Sequence, residues 1–291
     1  MHKQNPHSKG YNFDKLITVS PSLEQYVLVT AHGNKSIDFS KAAAVLELNK
    51  ALLAEHYALV EYQLPRNYLI PPVPGRADYL WHLNDLLIER GIINKQQTTK
   101  GLDIGTGANS IYPIIGSQQF GWNMVGADID EKAIAIAKEN ISKNSLEKNI
   151  ELRHQKDPSN LFKGIIGTEE KFQFTMCNPP FHASAKDAEK EALRKINNLK
   201  LPKRNENNEL ALNFKGQSNE LWCNGGEALF IKRLIKQSAE FKQQAEVFTT
   251  LVAKEIHLPK IYKQLDKLKA THTTIEMGQG NKKSRFVAWW F

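Results

Sequence analysis

Apolar and polar positions along the chain change rhythm near residue 101. Ahead of it, KAAAVLELNKALLAEHY (residues 41–57) repeats Ala, Val and Leu at helical spacing, with Asp38 and Ser40 placed as candidate N-caps. LPRNYLIPPVPGRADYL then carries four of the twelve prolines, which forces extended or turn backbone before Gly75. A second helix is expected from about Arg76 to Arg90, closed by Gly91. From Gly101 onward, short apolar runs alternate with helical stretches. GLDIG, WNMVGADI, NIELRH, FQFTMC, AEVFTTLV, THTTIEM and SRFVAWWF read as strands; SIYPIIGSQQF, EKAIAIAKENISK, GEALFIKRLIKQSAEF and LPKIYKQLDKL read as helices.

Such alternation predicts an α/β fold, Rossmann-like, with a mostly parallel seven-stranded sheet and helices on both faces. The last two strands have no full crossover helix between them, so an antiparallel hairpin should finish the sheet. Residues 1–75 read as an N-terminal arm and helical extension, of which 1–35 show no sustained period, and 76–291 as the main domain. A Lys- and Asn-rich stretch, 183–220, reads as a long basic loop with one helix near Ala185 to Asn197. No internal repeat is visible.

Composition narrows the class. The chain has 291 residues with 41% apolar content, enough to fill a real core. It contains no run of about 18 apolar residues, and MHKQNPHSKGYNFDKL lacks the apolar stretch of a secretory signal, so a cytoplasmic protein without membrane contact is expected. Cys177 and Cys223 lie far apart with no C-x-x-C spacing, which points to reduced, buried thiols and to no metal site. A formal charge of +8 favours an anionic partner without identifying one. Its distribution adds more: eight Lys/Arg against three acids from Lys254 onward, and seven against three from Lys186 to Arg204. Either run alone is also what a solvated face looks like. Together, flanking a possible site, they lean toward a polyanion.

The chemistry concentrates at two places. LDIGTGANS ends a strand in Gly105-x-Gly107 before a helix, and Asp128, 21 residues beyond Gly107, stands at the tip of the next strand. Glycines there allow a tight turn and close approach to a ligand, and the trailing acid can take both hydroxyls of a ribose. A tight structural turn would use the same glycine pair. Ser110 replaces the third glycine of a dinucleotide fingerprint, which counts against NAD or FAD. The second place is CNPPFH. Asn178 lies just past the fourth strand's carboxyl end, where open α/β sheets bind ligands. Pro179 and Pro180 fix the backbone and remove two N–H donors. The Asn178 side-chain oxygen and the Pro179 carbonyl are thereby available to accept both hydrogens of one exocyclic amine, with Phe181 stacked on the ring that bears it. An adenine amine is a poor nucleophile, and two fixed acceptors favour a more pyramidal nitrogen able to attack a methyl sulfonium without a strong base.

Asp103-x-Gly105-x-Gly107 resembles the first motif of class I S-adenosyl-L-methionine-dependent methyltransferases. The resemblance implies a glycine loop under the cofactor, Asp103 at its amino end and Asp128 on its ribose; Asp103 as a turn or capping carboxylate is the structural alternative. NPPF is similar to the [DNS]-PP-[FYW] motif of amino-group methyltransferases. HSKGYNFDKL, IPPVPGRADYLWHLNDLL, LDIGTGANSIYPIIG, CNPPFH and GGEALFIKRLI together resemble the RlmF family of bacterial 23S rRNA adenine-N6 methyltransferases. That resemblance spans nearly the whole chain. It implies S-adenosyl-L-methionine as cofactor, with Arg76, Gly105, Asp128 and Asn178 among its ligands, and Asn178, Pro179, Pro180 and Phe181 acting on adenine 1618. Asp157 joins the cofactor set only because His154 to Asp157 matches a family region near the cofactor's adenine, where residue types vary.

The implied partner is 23S rRNA or a ribosomal large-subunit assembly intermediate. Lys3, Lys9, Lys15 and the Lys186 to Arg204 run are candidate phosphate contacts. Glu227 reads as a helix first-turn acid before a substrate contact. Trp289 and Trp290 read as core and edge packing. His154 and His182 need no catalytic role. Two other functions stay open at this level: a protein glutamine N5-methyltransferase, whose motif more often ends in Tyr, and a non-enzymatic RNA-binding assembly factor.

Overall fold

A computed structural model describes residues 1–66, 68–93, 98–180, 225–279 and 282–291. Its centre is a seven-stranded sheet in the order β5-β4-β3-β6-β7-β9-β8. The strands are β3 (Lys100–Ile104), β4 (Asn123–Asp128), β5 (Ile150–His154), β6 (Phe172–Cys177), β7 (Ala245–Leu251), β8 (Thr271–Gln279) and β9 (Lys282–Trp290). β3 to β7 are parallel; β8 and β9 form an antiparallel hairpin whose second strand inserts against β7. The inner parallel strands are buried along nearly their whole length because both faces are covered, which is why they read as apolar runs without alternation.

Crossovers are made by α4 (Ile111–Phe120), α5 (Glu131–Lys143), α6 (Gly226–Ser238) and α7 (Leu258–Lys267). α5 starts where it does because the Asp130 carboxylate accepts from Lys132 N at 2.9 Å and Ala133 N at 3.2 Å, satisfying two orphan donors of the first turn. The connection from β5 to β6 holds no helix; it is a packed loop with Leu161, Phe162 and Ile165 buried.

Before the sheet come α1 (Phe13–Val19), a 3-10 turn (Pro21–Tyr26), a small hairpin of β1 (Val27–Val29) and β2 (Lys35–Ile37), α2 (Ala42–Tyr57) and α3 (Val73–Glu89). Residues 1–35, aperiodic in sequence, are thus largely ordered into short elements, and Phe13, Leu16 and Leu23 are buried. Elements of three to seven residues are too short to express a period. α2 begins without a side-chain cap: Asp38 accepts instead from the Ser40 backbone at 2.9 Å and from its hydroxyl. α3 starts three residues earlier than the periodicity implies, because Pro74 falls in its first turn, where a missing N–H costs nothing.

Two cores cover the two faces of the sheet. One gathers Leu16, Leu52 and Leu83 of the early helices with Phe174, Phe286 and Ala288; the other sets Ile231, Leu234 and Leu265 against Leu102, Val287 and Trp289. Along β9 consecutive residues fall alternately into the two, as the two-residue repeat of a strand requires. Each fully buried Leu contributes roughly 1.5–3 kcal/mol. Trp289 is fully buried, donates to Ser238 Oγ at 2.8 Å and stacks on Phe248, while the Arg90 guanidinium covers the Trp290 ring at 3.6 Å. α3 is tied to the sheet by Tyr79 Oη, 2.6 Å from Thr249 Oγ1. The chain's first residues tie to it as well: His2 N donates to Asp78 at 2.6 Å and Asn5 Nδ2 to Pro74 O at 3.1 Å. These contacts hold the helix that carries Arg76. Among the described residues no helix is long and apolar enough to cross a membrane.

Candidate active site

After β3 the chain moves outward to β4 and β5, then returns to lay β6 on the other side of β3. The crevice of such a sheet lies at that reversal, outside the carboxyl ends of the two strands. Ile104 pairs with Cys177 in register, so Gly105 and Asn178, each one residue further, emerge side by side. A cleft of about 710 Å³ opens there, a size suited to a cofactor-sized molecule. Arg76, Gly105, Gly107, Asp128, Asn178 and Pro180 line it. Pro179 is buried behind them, and Phe181 and His182 lie outside the described residues.

The glycine loop is shaped by backbone that side chains resist: Gly105 has φ +78° and Gly107 φ +62°. Gly105 N and Thr106 N both donate to Ala127 O, at 2.8 and 3.0 Å, which folds the loop back on β4. Gly107 N donates to Asp128 Oδ2 at 2.8 Å, and Asp130 N to Asp128 Oδ1 at 2.9 Å. The carboxylate is thereby aimed, and a carboxylate's remaining acceptor capacity suits a vicinal diol. Burial pushes the Asp128 carboxyl up, while the N–H groups of Asp130 and Gly107 pull it down.

Asp103 is fully buried beneath this loop, and among the described residues neither carboxyl oxygen has a hydrogen bond of normal geometry. Burial pushes it up to about 7; the Thr106 hydroxyl pulls down, the Asp128 charge pushes up and Arg76 pulls down. An acid in that state is short of a cationic or N–H partner. The folded protein keeps this proton over the range from about 4 to 7 where the unfolded chain has lost it, so the ligand-free fold loses stability as pH rises through that window. Asp103→Asn should therefore flatten the profile of melting temperature between pH 4 and 7 and exceed the parent near pH 8, by on the order of a few kcal/mol. Parallel profiles for the two proteins would dispose of this account.

Arg76, in the first turns of α3, donates to Tyr112 Oη at 2.8 Å and lies over its ring at 5.5 Å. With the Asn178 amide oriented to satisfy its neighbours, Asn178 Oδ1 accepts from the same guanidinium at 3.1 and 3.3 Å. A guanidinium only donates, so it holds the amide with oxygen, not nitrogen, toward Arg76. Tyr112 was not visible as a site residue in the sequence; the only signal was its place as the second residue of the helix after the glycine loop. Asp157 is not in the lining. It is fully exposed, and its carboxylate accepts from Ser159 N, Ser159 Oγ and Asn160 Nδ2 at 2.9, 2.6 and 2.7 Å, closing its own turn. Its neighbours Gln155, Pro158 and Asn160 line the cleft instead. His154 is half-buried, its Nε2 3.2 Å from Ile129 O. Cys177 is buried and borders the cleft. Among the described residues no three His, Cys, Asp or Glu side chains gather as a metal site.

Residues 1–291 match the family described as RNA methyltransferase. The chain belongs to this family. It is 53% identical over 292 residues to the ribosomal RNA large subunit methyltransferase F of Christiangramia forsetii, with all of both chains covered. The protein of that name from Cytophaga hutchinsonii is 47% identical, covering all of this chain and 91% of the relative. Among solved structures, the hMettl16 catalytic domain in complex with MAT2A 3′UTR hairpin 1 superposes with TM-score 0.83 at 29% identity, over 100% of this chain and 95% of that one. The N-terminal domain of human METTL16 in complex with SAH does so with TM-score 0.79 at 27% identity, over 100% and 98%. The mostly parallel seven-stranded fold is therefore the Rossmann-like class I methyltransferase fold.

In this RNA methyltransferase Glu227, the acid of the Gly-Gly-Glu run, is buried in the first turn of α6 and accepts from Ala253 N and Lys254 N, with His257 Nε2 at 3.5 Å. It pins the loop after β7 to the start of α6, beside the cleft. Glu227→Gln keeps one acceptor and loses the charge, which should cost about 1–2 kcal/mol and lower the melting temperature by about 3–6 °C. An unchanged melting curve would show that the pin carries no weight.

Proposed function

We propose that this chain transfers a methyl group from S-adenosyl-L-methionine to the exocyclic N6 of an adenine in 23S ribosomal RNA, by family resemblance adenine 1618, in the cytoplasm. The observation that carries the reading is the pairing of Ile104 with Cys177, which puts the glycine loop and the Asn-Pro-Pro turn on one cleft. The large-subunit rRNA names of relatives at 53% and 47% identity support the substrate class.

The residues present fit that cofactor. Asp128 has acceptor capacity beyond its two backbone bonds, suited to ribose hydroxyls; the Asp103 carboxyl is buried beneath the loop and does not itself border the cleft, so its part toward the cofactor's ammonium is a charge acting from below. Gly105 and Gly107 keep the floor free of side chains. When bound, S-adenosyl-L-methionine supplies an electrophilic methyl group on a sulfonium. Everything else required is positioning. Asn178 Oδ1 shares its two lone pairs between Arg76 and one N–H of the target amine, and the Pro179 carbonyl takes the other N–H. Pro179 and Pro180 bring no N–H to compete. Phe181 is assigned to stacking on the adenine ring, and Asp157 is left out of the cofactor set. The nitrogen loses its proton to solvent after transfer, so no strong base is needed.

The test supplies labelled cofactor to large-subunit rRNA and to protein acceptors from cells lacking this protein, then identifies the labelled monomer. N6-methyladenosine at a single site is the expected product. Methylglutamine without N6-methyladenosine would replace this reading with the protein-directed one. Running naked 23S rRNA against an assembly intermediate identifies the natural partner.

A further inference from the structure

The Gly-Gly-Glu-x-x-Phe-x-Lys-Arg run is one of the segments that carry the family resemblance, yet its basic pair has no part in the chemistry above. Ile231, Leu234, Ile235 and Ser238 are the buried stripe of α6. Leu229, Lys232, Arg233 and Lys236, spaced three and four apart, form a neighbouring stripe that borders the cleft. Lys232 and Lys236 are exposed and Arg233 is half-buried. Among the described residues no carboxylate forms an ion pair with any of the three. Arg233 lies 5.5 Å from the centroid of the Phe230 ring, which also borders the cleft, and its buried Nε has no hydrogen-bond partner among the described residues.

This wall does not suit the methyl donor. S-adenosyl-L-methionine carries a sulfonium and an ammonium against one carboxylate, so it is a net cation, and the acids that border the cleft, Asp128 and Asp130, belong to the end of β4. Three cations in one wall with no ion-pair partner among the described residues suit an anion. The one implied by the proposed function is the backbone of the RNA strand that delivers the adenine.

We propose that Lys232, Arg233 and Lys236 seat the backbone phosphates next to the target nucleotide. Arg233, braced on Phe230, supplies a planar donor fork; the lysines supply mobile point charges. The inference rests on the RNA methyltransferase reading above.

Binding of the full chain to unmodified 23S rRNA transcribed in vitro, measured across a salt series, tests it. K232Q/R233Q/K236Q should weaken binding at least tenfold near physiological salt and reduce the slope of log affinity against log salt by about 2, since each lost phosphate contact removes somewhat under one unit. Cofactor affinity by calorimetry should stay within about threefold. K232Q/K236Q, confined to exposed side chains, should fold as the parent does and lose about 1.5 of the slope. An unchanged slope in both variants overturns the seat, as does a loss of cofactor affinity with RNA binding intact. Methyl transfer is scored separately. Variants that methylate with the parental slope overturn the seat alone, and a reduced slope supports it whether or not the parent transfers a methyl group.

Discussion

Asn178→Ala should reduce methyl transfer about 10²–10³-fold in kcat, equivalent to roughly 3–4 kcal/mol of transition-state stabilisation, and weaken cofactor binding by a smaller factor, about tenfold or less, because Asn178 also borders the cofactor cleft. The size follows from what the amide does in the proposed mechanism. It is half-buried beside Pro179, and its oxygen is held by Arg76 at 3.1 and 3.3 Å, so it meets a substrate amine already oriented. Removing it takes away one of two fixed acceptors and leaves water in its place, which neither orients the nitrogen nor excludes competing geometries. The fold should survive, because Arg76 keeps its bond to Tyr112 and Pro179 stays buried. Single-turnover transfer from labelled cofactor, alongside calorimetric cofactor binding, separates the two effects. Turnover within threefold of the parent would mean that the Asn-Pro-Pro turn does not hold the target.

Gly101→Ala should be the most damaging small change to stability, at about 3 kcal/mol, and should lower the melting temperature by on the order of 10 °C. Gly101 and Phe174 are directly paired across β3 and β6, and a Cβ at Gly101 would stand 2.2, 2.6 and 2.8 Å from three carbons of the Phe174 ring. That ring cannot retreat. It is fully buried, with Trp122 packed edge-on at 4.8 Å between centroids. The clash would be relieved by prying apart the two strands whose ends carry Gly105 and Asn178, so activity should fall with stability. Thermal denaturation followed by circular dichroism measures the loss, and Gly101→Ala combined with Phe174→Leu should recover part of it by vacating the ring's far edge. A Gly101→Ala protein that melts within about 2 °C of the parent would refute the packing argument.

The residues legible in advance share a cause. β6 spans the FQFTMC run and α5 the EKAIAIAKENISK run, because a buried strand and an amphipathic helix are written in consecutive side chains. The same holds for the placement of Gly105, Gly107 and Asp128 on the cleft, which follows from their spacing on either side of one helix. Other side chains took partners that the order of the letters does not name. Asp157 sits between the cleft-lining Gln155 and Pro158, and its carboxylate accepts from Ser159 and Asn160 within its own turn. Asp38 and Ser40 look like caps, yet they bond each other. Glu227 is the first-turn acid of α6 that the sequence reading favours, and the fold adds the backbone of Ala253 and Lys254, which comes to it from 26 and 27 residues away.

Sequence by itself therefore determined the α/β alternation, the order of the motifs and the chemical types they offer: a side-chain-free glycine loop, two acids and a donor-free acceptor turn. Only the tertiary structure decided that β6 lies against β3, that Arg76 reaches Asn178 from a helix about a hundred residues earlier, and that the cationic flank of α6 borders the same cleft. Apolar periodicity and backbone preference act over a few residues, so they show in the order of the letters. Strand order and the facing of helices follow from how the buried faces close around one sheet, a condition set by all the elements at once.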